Sequence, residues 1–514
     1  MPVVDVAIIG FGPVGAVAAC LLGQAGLSVT VIDSATEIYD KPRAVAIDHE
    51  IARLLQGLGL GEALQACSEP FTDSVYFGAD GAVIKRLTML PEPYPQGWTP
   101  SLVFLQPQLE QAVREAAGRH PSVTIRLGET MTALDPGPDH VTIETKGPRG
   151  TERLTARHVL GCDGASSLTR KLAGLKLADL GFDEPWLVVD VLANEAGLAK
   201  LPRTSVQYCE PARPTTYVIC TGRHRRWEFS LNPGEDPQAM AQPDAVWRLL
   251  SRWITPDEGE LWRSAAYRFH ALVAEGWRKG RIFIAGDAAH QQPPFLGQGL
   301  CQGMRDVANL CWKLRLALHG KGGEPLLDSY GLERAGHVRG LTGTIKMIGG
   351  LIGQRDPERA RARDAHLIAE AGGHVRPVPR QDLMPALAAG FLSAAPSAQA
   401  GRGMLFPQPW IERSGFRHRL DDATGSGFRL IGPGGMEPAL AEALVPLGGV
   451  PVPLAHTASK AGYRECDGVA AGWLAAQGAT HALVRPDHYV FGTARNDAEA
   501  LALIEEAERQ LTAA

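Results

Sequence analysis

Three short stretches hold the residues best suited to chemistry. The first is Gly10-Phe11-Gly12-Pro13-Val14-Gly15, directly after an apolar run over 3–9. Gly10 permits a tight bend, Gly12 lets the backbone approach a pyrophosphate, and Gly15 lets a helix pack on a strand. The helix that follows offers free N–H groups and a positive dipole end to phosphates. Asp33 lies 33 − 15 = 18 residues past Gly15, at the end of a second apolar run, 27–32, where a carboxylate can accept from a ribose diol. This pattern predicts dinucleotide binding and does not by itself separate NAD from FAD. The second stretch, Cys162-Asp163-Gly164, and the third, Gly286-Asp287-Ala288-Ala289-His290, each end a buried-strand pattern in a polar turn. Asp163 also suits the first position of a turn, and Asp287 the N-cap of the helix after it. His290 could handle a proton, given its ordinary pKa of about 6.5, or could simply orient its loop.

The elements that must position these residues follow from periodicity. The pattern 3–9, 16–25, 27–32 is a strand–helix–strand unit closed by Gly26. A helix is predicted over 106–119, with Leu109, Val113 and Ala117 on one stripe. Strands are predicted at 123–127, 141–145 and 158–161. The composition shifts at 185–277, where strands at 187–191, 205–208, 216–220 and 227–231 alternate with Pro-, Arg- and Gly-containing turns. That reads as a mostly antiparallel sheet. The buried-strand style returns at 281–287, and a long helix is predicted over 302–318. After 354 the chain is rich in Ala, Arg and Pro and hard to read. A last block, 383–514, holds candidate strands at 427–431, 481–484 and 489–492 and a helix at 497–511.

Composition narrows the class. The 514 residues carry 51 Lys+Arg against 56 Asp+Glu, a net charge of −5, with no basic stripe, so nucleic acid is not expected as a partner. There is no apolar run of about 18 residues, so no membrane span is expected. The N-terminus lacks a basic segment and reads as a buried strand, not a signal peptide. The eight cysteines show no zinc or CxxC spacing; reduced buried thiols, no metal and a cytoplasmic location are expected.

The order of the three motifs resembles that of the single-component FAD-dependent aromatic hydroxylases, over about the first 350 residues. Four further segments resemble the branch acting on 3-(3-hydroxyphenyl)propionate and related phenols. They are Tyr39-Asp40-Lys41-Pro42-Arg43-Ala44, Leu105-Gln106-Pro107, the run from Gly297-Gln298-Gly299 to Trp312-Lys313-Leu314, and Val484-Arg485-Pro486-Asp487-His488. The resemblance implies an α/β fold in three parts. A Rossmann-like FAD-binding domain would take 1–75, 101–180 and 278–355. An antiparallel-sheet substrate domain would take 76–100 and 181–277, and a thioredoxin-like C-terminal domain 383–514.

It also implies roles. Gly10, Gly12, Pro13, Gly15 and Asp33 would hold the ADP half of FAD. Arg43 and Gln106 would lie along the pyrophosphate and ribityl side, Asp163 would serve flavin and nicotinamide docking, and Asp287 would bind the ribityl chain. The loop from Pro293 through Gly297, Gln298 and Gly299 would border the isoalloxazine ring, its prolines and Phe295-Leu296 keeping the site dry. Cys301, where many relatives have Asn, is expected to pack.

The expected reaction is hydroxylation of a phenol with O2 and NADH or NADPH through a flavin C4a-hydroperoxide. Tyr208, Tyr217, Arg226 and Trp227 are candidate substrate contacts, since tyrosines can hydrogen-bond a phenol and Arg can pair a carboxylate. Pro293, His290 and Tyr217 are the candidates nearest the chemistry. The last block has Cys466 and no CxxC, so disulfide exchange is not expected. In that family it serves structure or dimer contacts, which admits a homodimer. A hydroxylase of polycyclic polyketides and a redox-responsive flavoprotein without turnover stay open as alternatives. The tryptophan signature of flavin halogenases is absent from the sequence.

Overall fold

A computed structural model describes residues 3–455 and 462–512. The fold is mixed α/β, built on four sheets. Of the predicted blocks, 1–2, 456–461 and 513–514 lie outside the described residues.

The first sheet has eight strands, and its parallel part runs in the order Ile282–Ile284, Gly150–Gly161, Val4–Ile9, Val29–Asp33, Val123–Leu127. Val4–Ile9, Val29–Asp33, Ile282–Ile284 and the last four residues of Gly150–Gly161 are mostly buried, as central parallel strands covered by helices are, while Val123–Leu127 is a more exposed edge strand. Register does the functional work. Ile9 lies opposite Gly161 and Ile32, and Gly161 lies opposite Ile284. The three chemical motifs therefore leave the sheet side by side, at the carboxyl ends of three neighbouring strands, with Asp33 one strand further on. Ligands bind at that edge of open α/β sheets.

Two helices cover the ends. Pro13–Gln24 begins three residues earlier than its apolar pattern suggests, because Gly12 is its N-cap and Pro13 fits the first turn. Gly299–Leu318 crosses it where both backbones come close. A Cβ on Gly303 would lie 2.6 Å from Val14 Cγ2 and 3.0 Å from the Gly286 Cα.

The second sheet has nine strands. In order they are His290–Gln291, Gly259–Ala274, Leu177–Ala193, His224–Ser230, Thr215–Ile219, Ser205–Tyr208, Ser74–Phe77, Val83–Thr88 and Pro377–Pro379. Gly259–Ala274 was not expected as a strand, and Leu177–Ala193 is far longer than the 187–191 pattern. The latter pairing shifts register between Asp179 and Asp183 and between Asp190 and Val191, which breaks the period-two signal. The segment after 354 holds the helix Pro357–Glu370 and the short strand Pro377–Pro379, and before it runs the 29-residue helix Glu324–Ile352.

The C-terminal sheet has seven strands, flanked by the helices Pro438–Leu444, Val469–Ala476 and Asp497–Thr512. Among the described residues no helix is long and apolar enough to cross a membrane.

Candidate flavin and substrate site

A cavity of about 760 Å³ runs from the carboxyl ends of the parallel strands to one face of the nine-stranded sheet. Its near end is backbone. Gly10 has φ +101°, and a Cβ there would meet the Cys162 carbonyl oxygen at 2.4 Å. A Cβ on Gly15 would meet the Gly10 carbonyl oxygen at 2.0 Å. Gly12 differs: it lines the cavity, and a Cβ there would meet nothing within 4 Å. No side chain caps the helix that starts at Pro13. The first two glycines are fixed by the fold, and the third guards open space at an uncapped helix N-terminus, the surroundings a pyrophosphate needs.

The acids of the three motifs are used in different ways. Asp33 accepts from the N–H groups of Phe11 at 2.5 Å and Ala35 at 2.7 Å, which ties the second strand to the glycine turn. Asp163 accepts from Ser167 Oγ at 2.5 Å and from the Thr169 N–H and Oγ1, both at 2.9 Å, so it shapes its own turn as well as lining the cavity. Arg170, which the sequence did not single out, donates to the Ala288 carbonyl at 2.8 Å and the Ala165 carbonyl at 3.1 Å, joining the second motif to the third.

Asp287 is not the helix N-cap expected of it. It sits in the short 3-10 turn Gly286–Ala288, and the next helix is capped at Gln298. Asp287 is exposed to the cavity, with no hydrogen-bond donor to its carboxylate among the described residues, and desolvation by the surrounding protein raises its pKa. Such a group is matched to a ligand hydroxyl.

Gln106 holds a loop. Its Oε1 accepts from the N–H of Arg43 at 3.1 Å and of Ala44 at 2.7 Å, while the exposed Arg43 side chain lines the cavity.

The loop opposite the sheet presents Pro294, Phe295, Gly297 and Gly299 to the cavity. Gly297 takes a left-handed φ of +61°. Phe295 stands edge-on against Trp186 at 5.4 Å, and Phe269 lies against both rings, so the wall is aromatic and dry. Three residues predicted here point elsewhere. Pro293 is buried behind the wall. Gln298 Oε1 accepts from Arg305 at 2.9 Å. His290 is fully buried, stacked on Trp277 and hydrogen-bonded with Asp306 Oδ2 at 2.8 Å, so it is not a base for anything in the cavity. Cys301 is buried in the core, as expected.

The substrate-side predictions fell mostly on the wrong face of the sheet. Tyr208, Tyr217 and Trp227 are buried together on the side away from the cavity. Tyr217 O–H donates to the Pro202 carbonyl at 3.3 Å, and Tyr208 O–H accepts from Trp253 at 3.1 Å. Strand side chains alternate, so the cavity receives their neighbours Ser205, Gln207, Thr216, Val218, Arg226 and Glu228.

Arg226 is on the correct face but is already engaged. It grips Asp190 at 2.7 and 3.1 Å and the carbonyls of Arg43 and Pro42 at 2.7 and 2.8 Å. Burial would raise the pKa of Asp190, but Arg226 and His224 outweigh it and hold the carboxyl well below its ordinary range. This pair locks the cofactor-side loop to the substrate sheet; it is not free for a substrate carboxylate. Gln292 and Arg380 also line the cavity and were missed. Arg380 lies in the stretch that was hard to read, and Gln292 precedes the two prolines without a pattern of its own.

Residues 3–344 match the FAD binding domain family, and 403–509 match the HcaD C-terminal domain family. A "probable NADH-specific resorcinol 4-hydroxylase" of Rhodococcus jostii is 36% identical over 512 residues, 98% of this chain and 94% of that one. A 3-(3-hydroxy-phenyl)propionate/3-hydroxycinnamic acid hydroxylase of Burkholderia vietnamiensis is 35% identical over 83% of this chain and 79% of that one. Among solved structures, the flavin-dependent monooxygenase PieE, in complex with FAD and substrate, aligns with a TM-score of 0.83 at 22% identity over 99% of both chains. Aklavinone-11 hydroxylase aligns with a TM-score of 0.79 at 23% identity, covering 98% of this chain and 99% of that one.

Proposed function

This chain belongs to the FAD binding domain family and is an FAD- and NAD(P)H-dependent aromatic-ring hydroxylase, and from that premise we propose that it hydroxylates a monocyclic phenol, with NADH as reductant. One observation carries the reading: a single cavity joins the uncapped helix N-terminus behind Gly12 to a dry aromatic wall and a polar sheet face. The relatives named for resorcinol and 3-(3-hydroxy-phenyl)propionate are 36 and 35% identical over the aligned residues, whereas aklavinone-11 hydroxylase is 23% identical and speaks for the fold alone.

The residues fit the cofactor. Gly10, Gly12, Pro13, Gly15 and Asp33 would hold the adenosine and pyrophosphate part. Arg43 would lie along the pyrophosphate, with Gln106 fixing its loop, and Asp163 and Asp287 would take the ribityl side. The Gly297 and Gly299 backbone would border the ring. Bound FAD supplies the oxygen-activating and oxygen-transferring chemistry. The protein's part is to position and to dry. Phe295 and Phe269, backed by the buried Trp186, exclude water, the Arg226–Asp190 pair keeps the two halves of the site in register, and Gln207 and Thr216, linked at 2.6 Å, present polar atoms to the ring substituents.

We also propose the three-domain division given above, with a thioredoxin-like C-terminal part. Its strands Val450–Ala455, Arg429–Pro433, His481–Val484 and Val490–Ala494 lie in that order, the first pair parallel and the others antiparallel, which supports the reading. A cytoplasmic location belongs to the same proposal and is supported by eight free cysteines.

The test is a panel of monocyclic and polycyclic phenols, scored by NADH consumption, O2 uptake and product mass. Monocyclic phenols should stimulate NADH oxidation and gain one oxygen atom. A protein that oxidises NADH without forming an oxygenated product, or that accepts polycyclic substrates alone, would overturn the proposal.

A further inference from the structure

One polar group at the substrate end has no partner. Glu228 lies on the strand His224–Ser230, in a row across the sheet with Thr216 on one side and Val188 on the other; Thr216 is in turn opposite Gln207. All four line the cavity. Gln207 and Thr216 satisfy each other, with Thr216 Oγ1 donating to Gln207 Oε1 at 2.6 Å. Glu228 is 6% exposed, and no described residue donates a hydrogen bond to its carboxylate. Arg226, two residues along the same face, is committed to Asp190 and to the carbonyls of Pro42 and Arg43, so it does not pair with Glu228. A buried carboxylate without a donor is costly to keep. One that faces a ligand cavity is relieved when the ligand brings the donor.

We infer that Glu228 receives the phenolic hydroxyl of the substrate and acts as its base during ring hydroxylation, an inference that rests on the monocyclic-phenol reading above. As the ring is oxygenated, the phenolic O–H bond breaks and a carboxyl O–H bond forms on Glu228. The electron pair left on the phenolic oxygen enriches the ortho and para carbons that take the oxygen atom. When the ring regains aromaticity the C–H proton at the oxygenated carbon passes to water, which balances the proton taken up from water as the oxygen–oxygen bond that delivers the atom breaks, and Glu228 returns its proton to the phenolic oxygen. The carboxylate ends as it began.

Burial puts Glu228 in the right range for this task. Desolvation raises its carboxyl to about 7, with Arg226 lowering it and Asp190 raising it. The other charged or titratable groups lining the cavity are Arg263 and Tyr267 on the strand Gly259–Ala274, Arg43 on the facing loop, Arg380 beyond the last strand and, toward the parallel strands, Asp33, Glu129, Cys162, Asp163 and Asp287. Arg263 donates to the Pro42 carbonyl at 2.9 Å, to Asp190 at 3.4 Å and to the Tyr267 hydroxyl oxygen, and its Nε has no partner among the described residues. Arg380 donates to the Leu296 carbonyl at 2.5 Å, at the far edge of the sheet. A base with a pKa near the working pH balances its deprotonated fraction against its strength.

The test compares wild-type holoenzyme with Glu228→Gln and Glu228→Asp, with resorcinol as probe and FAD content measured first. In the wild type, kcat/KM should rise with pH through a midpoint near 7, because the base must be deprotonated to act. Glu228→Gln should bind FAD normally, lose about 10²-fold in kcat/KM and lose that acid limb. Glu228→Asp should keep the limb at a reduced rate, and it decides the matter should the Gln variant fold poorly. A second readout needs no turnover. Calorimetric binding of resorcinol at pH 7, in two buffers of different ionisation heat, should show proton release in the wild type and none in Glu228→Gln, since a donated hydrogen bond favours the carboxylate. An unchanged acid limb and unchanged proton release in Glu228→Gln, with the wild type hydroxylating phenols, would overturn this inference alone. A wild type that hydroxylates no monocyclic phenol would overturn both it and the reading beneath it.

Discussion

Gly12 and Gly15 stand three residues apart and ask different things of a side chain. At Gly15 the constraint is internal, since a methyl group would lie 2.0 Å from the Gly10 carbonyl oxygen. At Gly12 the backbone has φ −64° and ψ −178°, which alanine adopts freely, and a Cβ meets no protein atom within 4 Å. Gly15→Ala should therefore destabilise the fold by about 1–3 kcal/mol, the usual cost of overpacking, whatever is bound. Gly12→Ala should leave the stability of the flavin-free protein within about 0.5 kcal/mol of wild type and still lower the FAD retained on purification. Thermal unfolding of apoprotein and absorbance of the purified protein measure the two effects separately. A Gly12→Ala protein as yellow as wild type would mean that the glycine is kept for the turn and not for the pyrophosphate.

At the scale of the strand, one residue of register separates the substrate wall from ordinary core. Thr216 faces the cavity, while Tyr217 faces a packed cluster with Trp227 at 5.1 Å. Thr216→Val, nearly isosteric, removes the hydroxyl that satisfies Gln207 and should change KM for the phenol severalfold, at a cost of about 1–3 kcal/mol for the buried amide oxygen left without its donor. Tyr217→Phe removes a 3.3 Å bond to the Pro202 carbonyl and an interaction with Arg225, both away from the cavity, and should leave KM unchanged, at a cost of about 0.5–1.5 kcal/mol in stability. The reverse pattern would mean that the sheet presents its other face. The same contrast explains what was legible in the sequence. The glycine turn, Asp33, Asp163 and Asp287 could be placed because backbone geometry at a strand end is local, and neighbouring parallel strands then bring those ends together. Strands at 205–208 and 481–484 were also legible from their short apolar or β-prone runs between turn residues. Which face of 205–208 or 227–231 meets the cavity is decided by pairing with strands far away in sequence, so Tyr208, Tyr217 and Trp227 were chosen for their chemistry and proved to be core. Glu228 gave no local signal; what marks it is the lack of a partner, which only the assembled sheet reveals.

Across the whole molecule, the C-terminal part is fastened to the flavin-binding part by buried charge. Arg53, on the helix His49–Gly57, grips Asp421 at 2.5 and 2.8 Å, and Arg429 pairs with the same carboxylate. Glu333 forms an ion pair with Lys313 at 2.9 Å and accepts from Arg485 at 2.7 Å. One chain of contacts reaches the ring-side loop: Tyr489 O–H donates to Glu50 at 2.9 Å, Arg305 donates to Glu50 at 2.6 Å, and Arg305 donates to Gln298 at 2.9 Å. Burial alone would raise these acids. Arg485 and Lys313 instead bring Glu333 down to about 2, and Arg53, His488 and Arg429 hold Asp421 well below the ordinary carboxylate range. Their folded pKa values are thus depressed, so the stability they confer is present above the unfolded value of about 4 and is lost as pH falls through the folded values. Lowering the pH from about 5 to 2 should reduce Tm steeply and release flavin in the same transition, because the fastening and the ring-side loop share Arg305. Asp421→Asn leaves Arg53 and Arg429 buried without their counter-charge and should cost about 3–5 kcal/mol at neutral pH. It should also flatten the acid dependence of Tm, since the titrating group is gone. Unfolding followed by flavin fluorescence and by circular dichroism checks both points. If Asp421→Asn matched wild type in Tm and in acid sensitivity, the two parts would be held together by their apolar contacts and not by these pairs.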